Sequence, residues 1–310
     1  MKVVFIGTSR FAAIILDKLA TSTNKPFLVI SAPDKAVGRN QVLAPPAVKV
    51  TAEKDNIPVV QLESIGEYFD EIKKLEPDLI IVASFGQIIP ANILSVPKYG
   101  CVNVHPSLLP LWRGPSPIQY AILNGDERTG VSLMKMTAQV DAGPIFAQQE
   151  IKINDQESFQ NLHDRLAELG ADLLARTLSK LFAEKIFPRA QDDSKATYSK
   201  ILKKEDGRID WQQPAEVLER QIRAFYPWPG SHAFWQRDGR LTKIKILKAK
   251  AFKAKGGRSA GRIESDSSTN EIKVQCGEDF LVVERLQMEG KKEMSSGDFL
   301  RGYKDFTELK

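Results

Sequence analysis

The densest run of residues able to do chemistry is Asn103-Val104-His105-Pro106-Ser107-Leu108-Leu109-Pro110. Asn103 and His105 stand two apart at the end of an apolar stretch, so in a strand both point to one face. An amide there can donate a hydrogen bond to developing negative charge, and an imidazole titrates near neutrality and can move a proton. Pro106 and Pro110 stiffen the chain that follows, and Trp112-Arg113-Gly114-Pro115-Ser116-Pro117 continues it as a loop. The chain has three histidines. His163 falls in a leucine-periodic stretch and His232 follows Trp228-Pro229-Gly230-Ser231, so both read as structural or surface residues. Cys101 and Cys276 are far apart and lack metal-ligand neighbours, so neither a disulfide framework nor a metal site is expected.

The elements that must hold Asn103 and His105 follow from periodicity. Short apolar runs at 2–6, 27–31, 79–83 and 101–104 alternate with amphipathic stretches at 10–20, 47–55 and 65–75, the pattern of a parallel sheet flanked by helices. A doubly wound α/β sheet places its ligands at the carboxyl ends of its strands, which is where Asn103 and His105 fall. Pro115 and Pro117 suit the start of a helix ending at Asn124-Gly125. Residues 131–137 and 145–153 read as strands around Asp141-Ala142-Gly143-Pro144. Asn154 with Glu157 has the form of a capping box for a long helix, whose apolar positions run from Phe159 to Phe182. The turn after the first strand, Gly7-Thr8-Ser9-Arg10-Phe11, has one glycine where a dinucleotide fingerprint needs three, which sets nicotinamide and flavin binding aside.

A chain of 310 residues exceeds one ordinary core of roughly 100–200 residues. The expected division is a catalytic domain over 1–188, a polar linker over 189–206 and a second domain over 207–310. In the last of these, short alternating segments at 241–247, 261–264, 271–276 and 280–286, parted by Gly- and Ser-rich breaks, suggest a small antiparallel barrel. Hydrophobic residues at 42% and charged residues at 27% exclude a disordered chain, and no window reaches the roughly 18 apolar residues of a membrane span. The first strand begins directly after Met1-Lys2, leaving no room for a targeting peptide, so a cytoplasmic protein is expected. Residues 1–202 carry 22 basic and 22 acidic side chains, whereas residues 203–310 carry 22 and 17. The excess is densest between Arg237 and Arg262, where ten basic residues meet one acid, Asp238. That distribution suits a polyanionic partner.

The octapeptide at 103–110, with Phe85-Gly86-Gln87-Ile88-Ile89-Pro90 before it and Val140-Asp141-Ala142-Gly143 after it, resembles the folate-dependent formyltransferases. Further segments resemble the branch of that family acting on aminoacylated initiator tRNA. They are Ala32-Pro33-Asp34-Lys35 leading to Gly38-Arg39, Ala196-Thr197-Tyr198, Glu205-Asp206-Gly207-Arg208-Ile209-Asp210-Trp211 and Arg223-Ala224-Phe225-Tyr226-Pro227-Trp228-Pro229. Together they span nearly the whole chain in order.

The resemblance implies transfer of the formyl group of 10-formyltetrahydrofolate to the α-amino group of initiator methionyl-tRNA, by a Rossmann-like domain followed by an OB-like β-barrel. It implies that Asn103 donates to the carbonyl oxygen, that His105 shuttles protons between amine and folate nitrogen, and that Asp141 orients the imidazole. It places folate against Ser107, Leu108, Leu109 and Pro110, with the pterin near Phe85, Gly86, Gln87 and Ile88. The stretch at 34–46 resembles a loop that reaches the acceptor end of tRNA, making Lys35 and Arg39 candidate contacts. After Gly38-Arg39 this chain has Asn40-Gln41-Val42-Leu43 in place of a lysine pair, so more of that role falls on Arg39. Strand alternation puts Lys243 and Lys245 on the outer face of the barrel, and Lys248 and Lys250 extend the phosphate-binding surface. A monomer is expected. The competing readings are a formyltransferase for an amino-sugar nucleotide, a formyl-folate hydrolase, and a non-catalytic RNA-binding protein.

Overall fold

The computed structural model describes residues 1–38, 41–254, 259–266 and 271–310. Arg39 lies outside the described residues. The described chain forms two compact units. The first comprises Met1–Pro117, Arg128–Lys152 and Leu162–Lys200, and the second comprises Ile118–Glu127, Ile153–Asn161 and Ile201–Lys310.

The first unit is organised around seven strands: β1 (Val3–Gly7), β2 (Leu28–Ser31), β5 (Val59–Gln61), β6 (Leu79–Ala83), β7 (Cys101–His105), β8 (Arg128–Lys135) and β9 (Ile145–Lys152), with the short hairpin of β3 (Lys35–Val37) and β4 (Val42–Ala44) apart from them. The order is β5-β2-β1-β6-β7-β8-β9. The first five are parallel, and β8 and β9 add an antiparallel hairpin at the β7 edge. Every residue of β1 and β6 is buried, because helices cover both faces of a parallel sheet. The connecting helices are α1 (Arg10–Ala20), α2 (Ala47–Lys54), α3 (Phe69–Leu75) and α4 (Ala91–Leu94). α5 (Pro117–Asn124) precedes the β8–β9 hairpin in the chain and the long α6 (Phe159–Phe182) follows it.

Two glycines set the helix–sheet spacing. A Cβ on Gly7 would come within 2.6 Å of Ala12 Cβ and 2.7 Å of Ala83 O, so the lone glycine of the first turn serves close packing. A Cβ on Gly170 in α6 would stand 2.9 Å from Val104 Cγ1 on β7. Val104 therefore faces α6, while Asn103 and His105 point to the opposite face with Cys101, whose neighbours are Val4, Ile6, Ile80 and Val82.

The start of α6 differs from expectation. Glu157 does accept the Asn154 backbone N–H (2.8 Å), but the helix begins only at Phe159. The cap is Ser158, whose hydroxyl accepts from Asn161 N–H (3.3 Å). The Asn154/Glu157 pair closes a turn just before it; Gln156 at φ 57° interrupts the helical path there.

The second unit is an antiparallel sheet of β10 (His232–Arg237), β11 (Arg240–Phe252), β12 (Ile263–Asp266), β13 (Glu271–Gln275), β14 (Phe280–Met288) and β15 (Met294–Ser295), together with α7 (Ala215–Phe225) and α8 (Ser296–Gly302). Its path is β10-β11-β14-β13-β12, with β15 on β14. Among the described residues β10 and β12 do not pair with each other. Residues 307–310 lie between them: Ile263 N–H reaches Thr307 O, Leu309 N–H reaches Gly261 O, and Phe234 and Lys310 exchange both backbone bonds. The expected barrel is thus a half-barrel whose two edges are sealed by this tail. Ile209, Trp211, Leu218, Ile222, Trp235, Ile244, Ile246 and Phe299 fill the core, with Trp235 edge-on to Phe299 and Phe306.

Candidate active site and nucleic-acid face

β7 carries the site. Its neighbours hold it from both sides, Val82 opposite Asn103 on β6 and Ser132 opposite His105 on β8. The segments leaving β6 (84–90) and β7 (106–110) therefore emerge from the same edge of the sheet. Asn103 is half-buried, and its amide makes no hydrogen bond to another described residue. His105 is 4% exposed. Its Nε2 stands 3.2 Å from Trp112 O, an oxygen that only accepts, so Nε2 is the donor in that contact, and Nδ1 is turned towards Asp141 Oδ1 at 3.7 Å.

Asp141 is more than a turn residue. It holds φ 50°, a left-handed conformation that few side chains adopt, and Oδ2 accepts Gly114 N–H at 2.8 Å. Gly114, at φ 110°, cannot carry a side chain, because a Cβ would lie 2.5 Å from Ser199 O. Two residues past Asp141, a Cβ on Gly143 would sit 1.8 Å from Lys135 O, so glycine alone allows the turn to lie on β8.

The loop after β7 divides into scaffold and surface. Ser107 is fully buried, with Oγ donating to Leu111 O (2.5 Å) and its carbonyl accepting from Ser132 Oγ (2.6 Å). Leu109 is also buried; its N–H donates to Ser132 Oγ and its carbonyl accepts from Gln148 Nε2. Leu108 and Pro110 are only half-buried and present surface. In the partner loop Gln87 spends its side chain inward, accepting from Ile65 N–H (2.8 Å) and donating to Leu62 O (3.2 Å). Phe85 is half-buried, Gly86 is exposed, and Ile88 is 79% exposed. Cys101, at the start of β7, has its thiol pushed up to about 12 by burial, which removes it as a nucleophile.

Sequence reading missed a network behind Asp141 that is built on one buried arginine. Arg113 is 2% exposed. It donates from Nε and Nη2 to Gln191 Oε1 (3.1 and 2.8 Å) and pairs with Asp193 (2.5 Å). Burial works against its charge, but Asp193 and Tyr198 outweigh burial and raise its pKa. The one available signal was an arginine fixed between Trp112 and Gly114 in a Pro/Gly-rich loop.

The hairpin of β3 and β4 is tied down at its base. Lys49 Nζ reaches both Asp34 oxygens (3.0 and 3.1 Å) and Gln61 Oε1 (2.8 Å), and Gln61 Nε2 reaches Asp34 Oδ1 (2.7 Å). Gln61, then Lys49, holds the Asp34 carboxyl below its ordinary value. Lys35 on β3 is exposed, as are Val42 and Leu43 on β4.

In the second unit, Lys243 and Lys245 lie on the outer face of β11 with no ion pair among the described residues, while Ile244 and Ile246 are buried. Burial first, then the charges of Lys204 and Lys245, lower the Lys243 pKa. Arg208 lies over the Phe234 ring at 5.8 Å. Register shifts around Lys248 turn Ala249 inward, so Lys248 and Lys250 also face outward, but both are paired to Glu284 (2.8 and 2.7 Å).

A family model described as formyl transferase matches residues 1–178, and one described as formyl transferase, C-terminal domain, matches residues 201–304. The chain belongs to the formyltransferase family. Its relatives over full length are methionyl-tRNA formyltransferases: that of Citrifermentans bemidjiense is 43% identical, covering 98% of this chain and 94% of its own, and that of Geotalea daltonii is 40% identical, covering 100% and 98%. Among solved structures, an N-formyltransferase from Helicobacter canadensis in complex with folinic acid and dTDP-3-aminofucose aligns at TM-score 0.68 and 17% identity over 95% of this chain and all of that one. HypX from Aquifex aeolicus in complex with tetrahydrofolic acid aligns at 0.64 and 15% over 98% of this chain and 48% of that one. These two likenesses concern the fold. Among the described residues no helix is long and apolar enough to cross a membrane.

Proposed function

We propose that this protein transfers the formyl group of 10-formyltetrahydrofolate to the α-amino group of methionine on initiator tRNA, with catalysis in the first unit and RNA contact shared by the second unit and the 34–46 segment of the first. The observation that carries the reading is the Asn103 amide, unbonded among the described residues, beside the His105–Asp141 contact at the carboxyl end of β7. Formyl transfer needs a donor for the carbonyl oxygen as the amine attacks and a group that takes the amine proton and returns it to the folate nitrogen. Asn103 supplies the first. His105 Nδ1 supplies the second, held towards Asp141, whose own position is fixed by Gly114 N–H. Leu108, Pro110, Phe85 and Ile88 offer apolar walls for a flat heterocycle, and the loop backbone supplies polar partners. Ser107, Leu109 and Gln87 support those walls from behind.

Phosphate contact is assigned to Lys243 and Lys245 on β11, with Lys35 and Arg39 at the acceptor end. Lys248 and Lys250 contribute less, since Glu284 already neutralises part of their charge. The protein is read as a monomer working in the cytoplasm, in keeping with two buried free cysteines. The deciding experiment measures formyl transfer from 10-formyltetrahydrofolate with methionyl initiator tRNA, methionyl elongator tRNA and no acceptor. Transfer confined to the initiator is expected. Donor turnover that ignores the acceptor would replace this reading with a hydrolase, and no turnover would leave an RNA-binding protein.

A further inference from the structure

We infer that Gln191 is a positioning residue for the reaction: it holds the turn carrying Asp141 in place against the buried Arg113. The inference rests on the catalytic reading of His105 and Asp141. Gln191 Nε2 donates to two carbonyls of that turn, Asp141 O at 2.9 Å and Gly143 O at 2.7 Å. Its Oε1 accepts both Arg113 donors, so the amide is used at both ends and its orientation is set. Arg113 is in turn fixed through its backbone, donating to Thr197 O (2.9 Å) while its carbonyl accepts Ser199 N–H (2.7 Å). Trp112 N–H donates to Thr197 Oγ1 (2.8 Å), and Trp112 O is the oxygen that faces His105 Nε2. Residues 191–199 therefore act as a strap. One end grips the Asp141 turn, and the other grips the loop that supplies Trp112 O to His105 and Gly114 N–H to Asp141.

Asp141 sits at positive φ, and His105 is 3.7 Å from its carboxylate rather than in a close hydrogen bond. Such an arrangement persists only where its surroundings determine it, and Gln191 spans turn and loop alongside the bond from Gly114 N–H to Asp141. Losing it frees the turn without removing any group that touches substrate.

The test compares Gln191→Leu, Gln191→Glu, Asp141→Asn and the double variants. Gln191→Leu should lower kcat by about tenfold to a hundredfold, the cost of an ångström-scale misplacement, with KM for both substrates within about twofold. Adding Asp141→Asn should lower kcat little further, because both changes break one coupling. Gln191→Glu keeps the Arg113 acceptor but turns an oxygen on the two carbonyls, so it should match Gln191→Leu while retaining the fold. In substrate-free protein, the His105 ring resonances should move in Gln191→Leu as they do in Asp141→Asn, with His163 and His232 unmoved. Losses that multiply in the double variants, or an unmoved His105 signal, would overturn the inference. Absence of formyl transfer in the unaltered protein would refute the proposed reaction alone, since the His105 signal reads the geometry without substrate.

Discussion

An amide that has no hydrogen-bond partner among the described residues and lies beside an imidazole gains most from a charge that appears only during reaction. Asn103→Ala should therefore raise the barrier by about 2.7–4 kcal/mol, read as a fall in kcat with folate affinity nearly unchanged. If only folate affinity moves, Asn103 is a binding residue. His105→Ala should cost roughly 10²–10⁴ in turnover while tRNA affinity stays put, and unchanged turnover would remove His105 from the mechanism. Both residues were legible in the sequence because two-residue spacing on a strand is a local pattern. Arg113 and Gln191 were not: Gln191 reaches Arg113 across 78 residues and Asp141 across 50, and no local periodicity records such bonds. The folate loop shows the same limit. Its four residues read alike in sequence, yet Ser107 and Leu109 turn inward because Ser132, on the neighbouring strand, offers a hydroxyl to both.

Strand β11 separates lysines that composition treats as equal. Lys243 and Lys245 have no ion pair among the described residues, so replacing both with Gln should reduce the salt slope of tRNA binding by about 2. Replacing Lys248 and Lys250 should change it less, because Glu284 already holds them. An unmoved slope for the first pair would take β11 out of the phosphate contact. Because burial and its basic neighbours lower the Lys243 pKa, it loses its proton earlier than an ordinary lysine as pH rises towards about 10.4. tRNA affinity should fall in that range, and Lys243→Gln should remove the early part of the fall. The alternation at 241–246 foretold which lysines face out, but the register shift near Lys248 left no mark there, being set by pairing with β14. Helix α6 taught the converse: its leucine period was plain, while its first turn was decided by which hydroxyl met Asn161.

Across the whole molecule, lowered carboxyls and His232, whose imidazole burial holds below its ordinary pKa, together set the acid limit. Gln61 and Lys49 lower Asp34, Arg10 leads the causes that lower Asp164, and Lys248 and Lys250 lower Glu284. A carboxyl lowered by folding adds stability that is complete above its unfolded value and is lost as pH falls through its folded value. The urea midpoint should thus begin to fall as pH drops through about 6.5, where the unfolded His232 imidazole takes its proton before the folded one, and fall further below about pH 4 as the carboxyls protonate; a midpoint flat down to about pH 5 would take His232 out of the account. The α/β alternation made the first unit legible at this scale, while the closure of the second was hidden, because residues 307–310 look like any polar terminus until they are seen hydrogen-bonded on both sides. Those few residues are also a safeguard against self-association. They occupy the backbone groups of Phe234 on one strand and of Gly261 and Ile263 beside the other, which would otherwise offer two open edges to a neighbouring molecule. A chain ending at Phe306 should keep its catalytic unit yet form oligomers that grow with concentration on size-exclusion chromatography.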